Sequence, residues 1–340
     1  MSELTICMPS RRNLKDSFAA IESALAFCEK RGALLNLSDN SGDDEKRAFW
    51  EGKSACLTYI KSEAQTANDN MVLAVQAADT PFIMLMGDDD LIVAKEGIDP
   101  LDLSDIPFDY VGVFPEIETF LAPEQPGPMT ILSLEQDDAS DRMLAYFNSG
   151  ATHNGGFYSI FRRDVWLSTF DLFLRFHPTL AGFSDWALAI SLFTAGKMAS
   201  DPSIHYRYNM ARWATTEEIL SHREQLFTQA GLPQSAMKYE RLFMFLDFFV
   251  LINRVGSPLS IDERQRLGKA AVYVMLGRFI NDVANAPERY EEGIGALAEM
   301  VLDETDSFTQ FQLGLLMIER AQPGLKDKYI AFIQAALEGA

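Results

Sequence analysis

Three consecutive carboxylates, Asp88-Asp89-Asp90, follow the apolar run Pro81-Phe82-Ile83-Met84-Leu85-Met86-Gly87. Like charges this close repel one another unless a cation sits among them. Ligands that are all oxygen suit Mg²⁺ or Mn²⁺. Asp is also a favoured turn residue, so the triplet taken alone equally fits a polar turn after a strand. Further acids lie in Asp39-Asn40-Ser41-Gly42-Asp43-Asp44, a strong turn signal, and at Asp185 in Ser184-Asp185-Trp186. Two guanidinium groups stand together in Ser10-Arg11-Arg12-Asn13.

The elements that would hold these groups can be read from apolar periodicity. Leu4-Thr5-Ile6-Cys7-Met8-Pro9 reads as a short buried strand. A helix over 14–30 follows, with Gly32 as its C-cap. Ala33-Leu34-Leu35-Asn36-Leu37-Ser38 is a second strand, and a helix over 45–57 follows it. Tyr59-Ile60-Lys61 suits a short edge strand. A helix over 68–78 then leads into the strand before the triplet. Alternating strands and helices predict a parallel α/β sheet with right-handed crossovers. The loops after strands one, two and four should then meet on one sheet edge, and open α/β sheets bind ligands at the carboxyl ends of their strands.

Residues 100–128 are Pro-rich around one strand-like piece, Tyr110-Val111-Gly112-Val113-Phe114. Residues 130–147 suit a strand and a helix. A glycine-bearing loop over 148–156, with His153, precedes the strand Phe157-Tyr158-Ser159-Ile160-Phe161. A helix over 187–195 ends at Gly196, and Ile204-His205-Tyr206-Arg207-Tyr208 is the last strand candidate. Beyond about residue 210, helical patterns punctuated by Pro and Gly dominate. The expected division is therefore 1–210 as an α/β domain and 211–340 as an all-α domain. One stretch of the latter, 242–252, is apolar except for Asp247. It is too short to span a bilayer. It suits a helix buried on all sides, a dimer interface, or a contact with a lipid-linked acceptor at a membrane surface.

Composition bounds the function. The 340 residues are 48% hydrophobic and 23% charged, which is ordinary for a globular chain. A net charge of −20 argues against a nucleic-acid partner and repels anionic substrates overall. A divalent cation in the acidic triplet, or clustered Arg, would be a local remedy. Three Cys without metal-ligand spacing fit a reducing cytosol. No signal peptide or membrane span is expected, so the chain reads as cytoplasmic, with the inner face of the membrane as a further place of work.

Taken together, the loops resemble family 2 glycosyltransferases of the GT-A fold, of the kind that builds bacterial glycans. The matching pieces are Ile6-Cys7-Met8-Pro9-Ser10-Arg11-Arg12-Asn13, then Asp39-Asn40-Ser41-Gly42-Asp43-Asp44, then Asp88-Asp89-Asp90 in place of the family's D-x-D motif, then Ser184-Asp185-Trp186. Two departures stand out. The family often has Glu-Asp where this chain has Ser184-Asp185, and Ala67-Asn68-Asp69-Asn70 lacks the Arg of the family's patch.

The resemblance implies a Rossmann-like mixed sheet with flanking helices over about residues 3–210. It implies transfer of a sugar from a nucleoside-diphosphate donor to a glycan or lipid-linked acceptor, dependent on Mn²⁺ or Mg²⁺ and inverting in stereochemistry. Pro9 and Ser10 would line the nucleotide pocket, Arg11, Arg12 or Lys61 would meet phosphate, and Asp39 would hydrogen-bond the base or ribose. Asp88 and Asp89 would contact the donor. Asp90, with His205, would hold the metal. Asp185 would be the general base, although it is equally suited to cap a helix. His153 and Trp186 would contact the acceptor. A homodimer through the helical domain is also open to such a chain. Two rival readings are a non-catalytic GT-A relative acting as a scaffold, and a nucleotidyltransferase, which the glycine-free Pro9-Ser10-Arg11-Arg12 disfavours.

Overall fold

The apolar runs at residues 4–9, 33–38 and 81–86 form strands where expected, and their order creates the site. A computed structural model describes residues 2–149, 153–180 and 184–339. In chain order it contains β1 (Leu4–Ser10), α1 (Leu14–Arg31), β2 (Leu34–Asp39), α2 (Asp44–Trp50), β3 (Leu57–Lys61), α3 (Ala67–Gln76), β4 (Phe82–Leu85), β5 (Leu91–Ala94), β6 (Tyr110–Ala122), β7 (Gln125–Thr130), α4 (Ala139–Asn148), β8 (Ile160–Arg162), α5 (Arg163–Phe176), α6 (Ser184–Ala195) and β9 (Lys197–Asn209). Helices α7 (Thr216–Gln229), α8 (Glu240–Asn253), α9 (Ile261–Ala271), α10 (Gly277–Asn285), α11 (Ile294–Asp303), α12 (Ser307–Ala321) and α13 (Leu325–Glu338) follow.

The strands join in one mixed sheet in the order β3-β2-β1-β4-β8-β6-β9-β5, with β7 paired to β6. Strands β1 to β4 are mutually parallel, with Ser10 opposite Asp39 and Asp39 opposite Lys61. The chain leaves β1 towards β2 and β3, then returns to the other side of β1 as β4. The strand order therefore reverses between β1 and β4, and the crevice outside their carboxyl ends is where open α/β sheets bind ligands. Both strands are sealed by side chains on each face; Ile6, Met8, Ile83 and Met84 are fully buried. Asn13 caps α1 by accepting from the Asp16 N–H, and Gly32 closes it in the left-handed region at φ 65°.

Several features depart from the sequence reading. Phe157 and Tyr158, expected in a strand, form a short 3₁₀ helix over Gly155–Tyr158, so that strand is confined to Ile160–Arg162, and the unexpected α5 follows it. Strand β7 forms through Pro126-Gly127-Pro128, which is tolerated because it pairs only with β6. Strand β5 forms just after the acidic triplet and pairs antiparallel with β9. The helix expected over 45–57 stops at Trp50. Close strand approach also sets one glycine: a Cβ on Gly112 would lie 2.1 Å from the Ile160 carbonyl oxygen. Gly112→Ala is expected to cost about 1–3 kcal/mol by overpacking, read as a shift in the urea midpoint.

Two compact units divide the chain, and they do not follow a single cut after residue 210. The sheet unit comprises Met1–Glu135, Ser149–Asp171 and Gly196–Ala214; the helical unit comprises Gln136–Asn148, Leu172–Ala195 and Thr215–Ala340. Helices α4 and α6 thus belong with the C-terminal helices. The reason lies in α6, which is buried from Ala187 to Thr194 and needs apolar neighbours all round. Within the helical unit, α8 is buried continuously from Leu242 to Ile252. That run is therefore core, and its side chains are not an exposed interface. Its one acid, Asp247, accepts from the Tyr329 hydroxyl at 2.7 Å and pairs with His177 at 2.8 Å.

Candidate functional site

At the carboxyl end of β1, the chain turns so that Ser10, Arg11 and Arg12 all address one carboxylate. Asp88 Oδ2 accepts from Ser10 Oγ at 2.8 Å and from the backbone N–H groups of Arg11 and Arg12, each at 3.1 Å. Arg12 then bridges the triplet. Its Nε donates to Asp88 Oδ1 at 3.2 Å and its Nη2 to Asp89 Oδ2 at 2.5 Å. A second guanidinium, Arg212, lies 3.5 Å from the same Asp89 oxygen. The facing carboxylates raise the Arg12 pKa against the opposing effect of burial.

Asp90 has a different environment. It is 2% exposed, and its two oxygens accept from the Tyr206 hydroxyl at 2.5 Å and the Asn209 N–H at 2.8 Å. Burial pushes its pKa up to about 7, more than those hydrogen bonds lower it. The ordinary value, which the unfolded chain should show, is about 3.9. Between the two values the folded state holds a proton that the unfolded chain has released. This group's contribution to stability is therefore complete below about pH 4 and is lost as the pH rises through about 7. Unfolding midpoints measured from mildly acidic to mildly alkaline pH should show that slope in the wild type. Asp90→Asn should flatten it, whatever its absolute cost.

Asp39, at the end of β2, is 4% exposed and also engaged on both oxygens. Oδ1 accepts from Lys46 Nζ at 2.9 Å; Oδ2 accepts from Ser41 Oγ at 3.0 Å and from the Tyr59 hydroxyl. Lys46 is fully buried and also donates to Ser10 Oγ at 2.6 Å and the Arg12 carbonyl at 2.8 Å. A continuous network thus runs from Tyr59 through Asp39, Lys46 and Ser10 to Asp88 and Arg12. Asn70 braces its β2 side, donating to the Ser38 carbonyl at 2.9 Å and to Asn40 Oδ1 at 3.2 Å. Asp43 caps α2 and also accepts from the Leu14 N–H at 2.8 Å, which ties this turn to the loop after β1.

The expected metal pair is not assembled. His205 stands next to Tyr206 on β9, and successive side chains of a strand leave opposite faces. Tyr206 reaches Asp90, whereas His205 Nε2 pairs with Glu118 at 2.8 Å. Among the described residues, no group of three His, Cys, Asp or Glu is placed to hold a metal ion. In the triplet, both oxygens of Asp88 and of Asp90 accept hydrogen bonds, and two guanidinium groups approach Asp89 Oδ2. A cation there would meet like charge.

His153 lines a cavity of about 360 Å³ in the sheet unit, with Thr119, Met129, Thr130, Ser149 and Met210. Its Nδ1 accepts from the Gly155 N–H at 2.9 Å, and burial lowers its pKa, so the ring is neutral at pH 7. Next to Met210 in the chain, Asn209 donates to the Asp89 carbonyl at 3.2 Å. Asp185 lies in the helical unit, exposed in the first turn of α6, where its Oδ1 accepts from the Trp186 N–H at 2.9 Å. Trp186 packs 6.1 Å from the Tyr146 ring, and the Asp185 charge adds to burial in raising the Tyr146 pKa. Gly182 and Phe183, before Asp185, and Gly150, Ala151 and Thr152, before His153, lie outside the described residues.

Sequence reasoning did not single out Lys46, Tyr59, Asn70, Tyr206, Asn209 or Arg212. Only Lys46 carried a local signal, since it shares a face of a short helix with buried Trp50. The others are recruited by contacts distant in sequence.

No protein-family description matches the chain, and no curated protein matches it. Solved structures that align with it include S. aureus TarS 1–349, at 11% identity and a TM-score of 0.44 over 100% of this chain and 92% of that one. TarS 1–349 in complex with UDP-GlcNAc aligns at 10% identity and a TM-score of 0.49, over 98% and 91%. For the longer TarS structure the values are 12% and 0.44, and the chain spans 55% of its length.

Proposed function

We propose that the chain is a glycosyltransferase that moves a sugar from a nucleoside-diphosphate donor to a glycan or lipid-linked acceptor. The observation that carries this reading is the convergence at the strand-order reversal. Loops from residues 10–13, 39–46 and 88–90 meet there in one hydrogen-bonded network outside the carboxyl ends of β1, β2 and β4. That is the place and the loop set that the family resemblance assigns to the donor.

In this reading the backbone of Pro9 and Ser10 lines the nucleotide pocket, and Arg11 and Arg12 meet the diphosphate. Departure of a diphosphate needs preorganised positive charge where the new negative charge develops. Asp39, held by Lys46 and Tyr59, supports the pocket wall rather than competing for a cation. Asp88 and Asp89 orient Arg12. The His153 cavity receives the acceptor or the transferred sugar, and Trp186 offers an aromatic face to an acceptor. The family resemblance assigns the acceptor's hydroxyl proton to Asp185, and attack opposite the leaving diphosphate would invert the anomeric centre. Among the described residues no helix is long and apolar enough to cross a membrane. A lipid-linked acceptor would therefore be met at the membrane surface.

A thermal-shift screen of nucleoside diphosphates and nucleotide sugars, UDP and UDP-GlcNAc included, tests the reading. A ligand that binds only the folded state raises the melting temperature by mass action. One nucleotide class is expected to stabilise the protein, and its sugar conjugate to be turned over with an acceptor. No shift with any nucleotide would overturn the donor site. Binding without turnover across a broad acceptor panel would favour a scaffold.

A further inference from the structure

We infer that this site binds the diphosphate of its donor through guanidinium groups, Arg12 foremost, and needs no divalent cation to do so. The inference rests on the donor-site reading above and specifies what neutralises the phosphates. The charges that make the triplet attractive to a cation are already met from within the chain. Asp88 and Asp89 face Arg12 at 3.2 and 2.5 Å, and Arg212 adds a second positive group at 3.5 Å. Asp90 is withdrawn from the site by burial and by its bonds to Tyr206 and Asn209.

The arginines keep capacity for a ligand. Arg12 uses Nε and Nη2 on the carboxylates, and the guanidinium carries further N–H donors on its other terminal nitrogen. Its side chain is 30% exposed and that of Arg212 59%. Arg11 is exposed as well, while its backbone N–H is fixed on Asp88. Asp88 and Asp89 therefore act as positioning residues. They hold the Arg12 fork at the strand-order reversal before the ligand arrives, so little ordering remains for binding to bring about. A planar fork suits phosphate oxygens in a way that a single ammonium does not.

The test is isothermal titration of the intact protein with UDP, GDP, CDP and ADP, in excess EDTA and again with Mn²⁺. The dissociation constant of the nucleotide that binds is expected to agree in the two media within about twofold. Arg12→Gln should weaken it by about tenfold or more in both, as loss of a charge-assisted contact does. Arg12→Lys should not restore it. Arg212→Gln, at a surface position where folding is not at stake, should weaken it by about threefold or more. Binding that tightens by about tenfold or more with Mn²⁺, or arginine variants that leave the constant unchanged, would overturn the inference while leaving the donor site standing. No binding in either medium would overturn the donor site and the inference with it.

Discussion

Asp185→Asn is expected to lower the rate of sugar transfer by about 10²- to 10⁴-fold, the contribution of a general base, while leaving nucleotide binding unchanged. The substitution is chosen to separate two uses of one carboxylate. Asp185 sits exposed in the first turn of α6, with Oδ1 on the Trp186 N–H. There it also favours the helix by about 0.3–1 kcal/mol through the macrodipole. Asn occupies helix starts as well as Asp does and keeps an oxygen acceptor, but it cannot take a proton. A base role therefore predicts a large loss of turnover with little change in unfolding midpoint. If turnover falls no further than stability does, Asp185 only stabilises the first turn of the helix. Initial transfer rates, a nucleotide dissociation constant and a urea midpoint on the same preparations decide between these.

The second large effect is on stability. Lys46→Met is expected to cost about 3–5 kcal/mol, the range for breaking a buried ion pair by removing one partner. Lys46 is fully buried, and its partner Asp39 is 4% exposed, so the remaining carboxylate cannot recover hydration. The same ammonium also anchors Ser10 and the Arg12 carbonyl, so nucleotide binding should weaken along with the fold. The double variant Lys46→Met with Asp39→Asn should cost less than the two single losses added together, because the orphaned charge is then absent. Additive losses would mean that the pair contributes packing only. Denaturant midpoints of the four proteins supply the cycle.

Arg12 and Lys46 show how local pattern and tertiary contact share the work. By itself the sequence determined the elements around the site. The apolar runs at residues 4–9, 33–38 and 81–86 became β1, β2 and β4, and the polar stretches after them became the loops at one sheet edge. Gly32 closed the first helix as its position indicated. These features depend on the period of apolar residues and on the few side chains that break it, and both are local properties. The acidic triplet was equally visible, as was its need for compensating charge.

Which cations supply that charge was decided only in three dimensions. Arg12 reaches Asp88 because β1 and β4 are neighbours, and Arg212 reaches Asp89 because β9 pairs with β5 just beyond the triplet. The alternation along β9 sends Tyr206, not His205, to Asp90. The division of the chain has the same origin, since α4 and α6 pack with helices far later in sequence. Periodicity says that a face will be buried, but not against what. Strand order and register bring polar groups within the roughly 3 Å of a hydrogen bond, and neither is written in any one stretch of the chain.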